Sequence, residues 1–263
     1  MQMNETALSP RRFAHVYGDE ADARALTRNA HLCTALAYLH LAAAAMHVLP
    51  AWTLALTIPV LVPRWMIAVH ELFHLRSERE VDGVMRLLPF IFTPLSLGYR
   101  EELRNHRGHH LYMAVPDDPE FYQLRGSPVR GLFNAFSAPE QMWFRWRAVH
   151  GIDGRLMADT AVRLALFIGL AVAGGAAFIW YLAAARLAFG IAYFTFFYAL
   201  HRRGEAYGVY PLELPPWMAK AFTFVFGAVV VEATLHHDVH HAQPRIAARH
   251  LKETRSALQG TAV

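Results

Sequence analysis

Cysteine is almost absent: Cys33 is the only one in 263 residues. A single thiol excludes an internal disulfide framework, a cysteine-built zinc site and a self-contained iron–sulfur cluster. Set inside an apolar run, Cys33 reads as a small buried hydrophobe. Charge is scarce too: Asp, Glu, Lys and Arg make up 17% of the chain against 55% hydrophobic residues, and mean hydropathy is +0.20. No basic run with interleaved aromatics points to nucleic acid, and no glycine-rich nucleotide fingerprint, fixed-period repeat or low-complexity segment is visible. The first 30 residues carry charges of both signs instead of the apolar core of a leader, so insertion through internal spans is expected.

What the chain has is long apolar runs. His31 to Leu49 is the first, followed by Pro50, and Ala51 to Val69 is the second. Each approaches the ~20 residues that a spanning helix needs, and the short uncharged link between them predicts a tight hairpin. Gly83 to Tyr99 is apolar but short, with Pro89 and Pro94, and fits a segment lying at the membrane interface. Residues 100–157 are polar, Arg-rich and aromatic. A second hairpin is expected from Asp159 to Tyr181 and Leu187 to Leu200, turning near Arg186. Trp217 to Leu235 is apolar and suits a span or an interfacial helix equally.

Arg and Lys crowd residues 1–30, 76–163 and 202–255 and avoid the hairpin tips. The positive-inside rule therefore places both termini and the long loops in the cytoplasm. The expected fold is all-α and integral to the membrane: about four transmembrane helices in two hairpins, interfacial helices, and a cytoplasmic cap. Residues 1–30 form a polar arm, 31–245 the membrane domain and 246–263 a basic tail.

Histidine is the outlier, with 16 residues. Three clusters lie just beyond apolar segments. They are His70-Glu71-Leu72-Phe73-His74, His106-Arg107-Gly108-His109-His110 and His237-Asp238-Val239-His240-His241, with His236 as a further neighbour. On a helix, residues four apart share a face, so His70 and His74 can reach one metal. In an H-x-x-H-H box the later histidines can meet the first at a common centre or at two adjacent metals. Eight histidines exceed what one tetrahedral zinc requires and suit two imidazole-rich metals, for which iron is a good match. His15, His31, His40, His47, His150 and His250 stand alone and read as packing or hydrogen-bonding residues. Glu71, Asp117, Asp118, Glu120, Glu232 and Asp238 are candidates to orient ligand imidazoles through the distal ring nitrogen. Glu232 stands out as an acid in an apolar run.

The pattern of the three boxes resembles that of membrane fatty acid desaturases. The wording inside them, HELFH, RGHH followed by PDDPE, and HHDVHHA, resembles alkane hydroxylases, although box two there is commonly one residue longer. The resemblance covers about 31–245. It implies a non-haem di-iron centre, dioxygen as co-substrate, and a ninth ligand, His201, near Tyr207-Gly208. It further implies desaturation or hydroxylation of an unactivated C–H bond in a lipid-like substrate such as an acyl chain, alkane or fatty aldehyde; carotenoid ketolases and hydroxylases share the box style. Without a redox module in the chain, electrons are expected from a separate ferredoxin, rubredoxin or cytochrome-type donor. Arg107, Arg145, Arg147, Arg202 and Arg203 are candidates to dock it. HELFH is also an H-E-x-x-H match, as in zinc metalloproteases, but that alternative leaves two boxes unexplained. A metal transporter, with ligands near the bilayer midplane, is the non-enzyme alternative.

Overall fold

The computed structural model describes residues 16–259, so His15 and the first half of the polar arm lie outside the described residues. The described chain is mostly helical. Helix α1, Glu20–Ala45, begins earlier than the first apolar run, because Asp19 caps it: its side chain accepts from Asp22 N while Asp22 returns a bond to Asp19 N. Such a capping box fixes a helix start whatever the hydropathy of its first turns. A short link leads into α2, Leu54–Leu75. The face that α1 buries is built of small residues, Ala30, Cys33, Ala37 and Ala44 around Leu41, which lets two helices approach closely.

Helix α7, Gly154–Tyr193, continues into a π-helical turn, Phe194–Ala199. Its backbone breaks at Gly175, where φ is 51° and ψ −129°. In a straight helix Thr160 and Tyr193 would lie ~50 Å apart. Yet both reach one turn of α6, Ala138–His150: Trp143 Nε1 donates to Thr160 Oγ1 at 3.0 Å, and the Tyr193 hydroxyl lies 3.3 Å from Met142 Sδ. The Phe167 and Phe178 rings also meet, at 5.2 Å. The chain therefore reverses at Gly175, not near Arg186 as the sequence suggests. Arg186 is no turn residue; it pairs with Glu140 at 3.1 Å, and the positive φ of the reversal needs glycine. Among the described residues, two stretches are long and apolar enough to cross a membrane, Ala51–Leu75 and Gly154–Ala199. Large apolar side chains on the outer faces of α1 and α7, such as Leu39, Ile168, Val172 and Ile179, are exposed.

After the four-residue helix α3, Gly83–Arg86, residues 87–98 of the segment expected at the membrane interface are irregular. Their carbonyls are satisfied by side chains from the long helices. Arg163, fully buried, donates to Leu87 O and Ser96 O, both at 3.0 Å. The Tyr181 hydroxyl donates to Ile91 O at 2.7 Å, and Tyr38 bonds Pro89 O and accepts from Ile91 N. Non-helical backbone inside an apolar bundle persists only with such partners. This wedge walls one side of a cavity described below.

The boxes occupy the end of the bundle away from the hairpin tips. His70 lies ~24 Å from Leu54, the first residue of α2, at 1.5 Å per residue. Around it gather α4 (Tyr99–Tyr112), α5 (Pro128–Phe136), α6, α8 (Pro216–Phe226), α9 (Ala228–Leu235), α10 (His237–Ala242) and α11 (Leu251–Gln259). The apolar segment 217–235 is two helices broken at Gly227, φ 90°, and neither reaches spanning length. Strand pairing among the described residues is confined to a two-residue hairpin, Arg202–Arg203 with Ala206–Tyr207, turning at Gly204 with φ 61°, and an isolated bridge between Tyr17 and Ile246.

Candidate metal centre

Each histidine box is helical, and helix geometry sorts its members. One residue to the fourth beyond turns ~40°, whereas the third beyond falls ~60° to the other side. His70 and His74 on α2 share a face. On α4, His106 and His110 share a face with each other while His109 points aside. On α10, His237 and His241 pair while His240 diverges.

The structure brings all nine predicted histidines into two adjoining groups. Ring nitrogens of His70, His74, His106, His110 and His240 lie within 4.8 Å of one another, as do those of His109, His201 and His241. His237 joins the second group, with its Nε2 3.1 Å from His241 Nε2. Each H-x-x-H-H box thus gives an i, i+4 pair to one group and its i+3 member to the other. The groups abut: the His110 and His241 rings stack at 4.2 Å.

The chemistry of these contacts fits metal. His109 Nδ1 faces Asp118 Oδ2 at 2.8 Å, and His201 Nδ1 faces the Phe196 carbonyl at 2.8 Å. Both acceptors demand that Nδ1 carry the proton, which leaves each Nε2 a bare lone pair. Those two lone pairs nevertheless face one another at 3.2 Å. They cannot bond each other, but a shared cation would satisfy both. Imidazoles at ~2.1 Å from one ion and ~90° apart place their nitrogens ~3 Å apart, close to the 2.7–3.2 Å seen. Several ring nitrogens, including both of His110 and of His240, are buried without a partner, a costly state without a ligand. Burial, reinforced by the neighbouring imidazoles, holds His106, His237, His240 and His241 well below the usual histidine range, and pushes His110 down to about 3. The rings are therefore neutral, as metal ligands must be.

Two of the predicted orienting acids are in place. Glu71 Oε1 lies 3.1 Å from His70 Nδ1 and 3.7 Å from His240 Nδ1, and Asp118 holds His109. Three are not. Asp117 is exposed and bonds to none of the nine. Glu232 contacts His236, at 3.3 Å, and Asp238 contacts Arg255, at 3.5 Å. His236 lies outside both groups. The Phe196 carbonyl was not foreseen, because a π-helical turn that frees a carbonyl leaves no side-chain signature. Among the isolated histidines, His31 pairs with Asp82, His40 with Thr53, and His150 stacks on Trp146. Of the candidate docking arginines, Arg202 is tied to the Leu124 and Gly126 carbonyls, Arg145 caps the Tyr122 ring, and Arg107 is exposed.

A cavity of about 120 Å³ opens against the first group. His70 and His106 line one side, Trp65 and Phe73 flank them, and Phe90 and Phe92 of the 87–98 wedge close the other. The glutamates Glu102 and Glu120, with Ser96 and Tyr193, interrupt its largely apolar wall.

The model of the fatty acid desaturase family matches residues 47–262, which include all three boxes and His201. No curated protein and no solved structure matches the chain.

Proposed function

Starting from a chain that belongs to the fatty acid desaturase family, we propose a membrane oxidoreductase that uses dioxygen to desaturate or hydroxylate an unactivated C–H bond in a lipid-like aliphatic chain. The observation that carries this is the pair of imidazole groups, with bare nitrogens converging, beside an apolar cavity. His70, His74, His106, His110 and His240 would hold one iron, and His109, His201, His237 and His241 the other. Such a di-iron pair, when bound, supplies dioxygen activation and the oxidising power for the C–H bond. The protein supplies the rest. Glu71 and Asp118 fix the tautomers of His70 and His109. The cavity receives the chain beside His70 and His106 and excludes water from it.

In this reading α1, α2 and the two arms of α7 cross the bilayer, the boxes and both termini are cytoplasmic, and a separate protein delivers electrons. The position of Glu71 argues against the metalloprotease alternative. A water-activating glutamate must face the metal's open position, whereas Glu71 sits on the Nδ1 side of His70 and His240, behind the rings.

The test is turnover under labelled dioxygen. Iron-loaded protein in lipid, with a chemically reduced ferredoxin-type donor, is offered acyl lipids, alkanes and carotenoids. Products that gain labelled oxygen or lose two hydrogens, in wild type and not in His109→Ala, support the proposal. No oxygen consumption beyond the donor's own, with iron bound and all three substrate classes present, would overturn it.

A further inference from the structure

The apolar cavity beside His70 and His106 contains a feature that a hydrocarbon does not need. Glu120, 4% exposed, lines it; its Oε2 has no hydrogen-bond partner, although the Tyr193 hydroxyl on the same wall is near enough to act on its carboxyl. Glu102, half-buried, lines the same cavity. Leaving a buried polar atom such as Oε2 without a partner costs a few kcal/mol, and an apolar pocket with a few placed polar groups is the usual form of a small-molecule site.

The acids are not held as anions. No Lys or Arg lines the cavity among the described residues. Arg163, the cation that Glu102 feels, bonds the Leu87 and Ser96 carbonyls. Burial raises Glu120 well above the usual carboxylate range, helped by Asp118 and Glu102. Burial, with Glu101 nearby, pushes Glu102 up to about 8. A neutral carboxyl donates a hydrogen bond, repels no neutral oxygen, and offers a free carboxylate no counter-charge.

We propose that Glu120, supported by Glu102, anchors the substrate, and that the cavity takes a long apolar molecule bearing one uncharged oxygen acceptor, a carbonyl or hydroxyl. A bare hydrocarbon would leave the anchor unpaired, and a free carboxylate would meet no cation. Because both acids and His70 share one cavity, the oxygen-bearing end lies nearest the metal centre. This inference rests on the cavity being the substrate site of the oxidoreductase proposed above.

The experiment compares three probes of equal chain length, dodecan-2-one, dodecane and dodecanoate, binding to the full chain in detergent micelles. Iron is counted on the same samples, and the ketone carbonyl stretch is followed by infrared difference spectroscopy. Dodecan-2-one is expected to bind about tenfold more tightly than dodecane, the worth of one hydrogen bond, with its carbonyl stretch shifted down. Glu120→Leu should remove both the preference and the shift while dodecane affinity holds. Glu120→Gln, which keeps an N–H donor, should retain most of the preference. Equal binding of ketone and dodecane, tightest binding of dodecanoate, or a wild-type ketone with an unshifted carbonyl would overturn the proposal, and none of these readouts requires the Leu variant to fold. Wild-type protein that binds iron but shows no ketone preference sinks this inference alone, whereas wild-type protein that takes up no iron sinks the functional reading.

Discussion

Replacing Asp118 by Asn is expected to loosen one metal position and leave the other intact. The Asp118 side chain is buried, and its carboxylate accepts three N–H groups: His109 Nδ1 at 2.8 Å, Ala114 N at 3.1 Å and Glu120 N at 2.8 Å. His109 and Ala114 share Oδ2, so the amide keeps both by placing its oxygen there and turning its NH2 against Glu120 N–H. The bond to His109 then loses its charge. Bonds to charged groups are worth ~1.5–3 kcal/mol and neutral ones ~1. The difference, ~1–2 kcal/mol, is of the order that 10–100-fold losses of metal affinity imply when such partners are removed. Glu71→Gln is the counterpart, since Glu71 contacts His70 and His240 of the other group. Iron-loaded protein is titrated with a chelator and the iron retained per chain is followed. Each single variant should release one iron at about tenfold lower chelator and hold the second as wild type does. The double variant should release both early, because the substitutions act on different ions. Joint release of both irons in either single variant, or early release of only one in the double variant, would refute the two-group assignment. A zinc metalloprotease would behave differently: Glu71→Gln would keep its metal.

Arg163→Leu removes two donors to the 87–98 wedge; with two carbonyls orphaned, stability should fall by ~2–4 kcal/mol, and an unchanged melting temperature would contradict the anchoring role. Gly131→Ala drives a Cβ into the Tyr198 ring, an overpacking expected to cost ~1–3 kcal/mol and read in the same melt, where no loss would show that the ring yields freely. For Glu102, the folded value of about 8 lies above the ordinary 4.5, so the folded chain holds a proton that the unfolded chain has released. Its contribution is therefore present below about pH 4.5 and lost as pH rises to about 8. Glu102→Gln should gain thermal stability over wild type across that window, and parallel pH profiles would contradict it.

The boxes were legible in the sequence because the ligands sit at helical spacings that the local backbone preserves. The spacing sets each i, i+4 pair apart from its i+3 member, but which group each joins emerges only when α2, α4 and α10 converge. Proximity in sequence misled for Glu232 and Asp238, whose side chains contact His236 and Arg255, and for Asp117, where the neighbouring Asp118 carries the bond. The second hairpin was legible as apolar length, but Arg186 looked like a loop residue. Only the partner Glu140, from a distant helix, shows how its charge is held. Glu120 was visible in the sequence as a candidate partner of a ligand imidazole, not as a cavity acid, and Glu102 was not singled out at all, since their common setting is made by the wedge at 87–98 and by α7 together.

Iron and zinc per polypeptide, measured by mass spectrometry on chelator-free protein beside His109→Ala, test the central claim most directly. Two irons in wild type, reduced in the variant, are the predicted result. One zinc per chain, unchanged in the variant, would contradict the di-iron oxidoreductase.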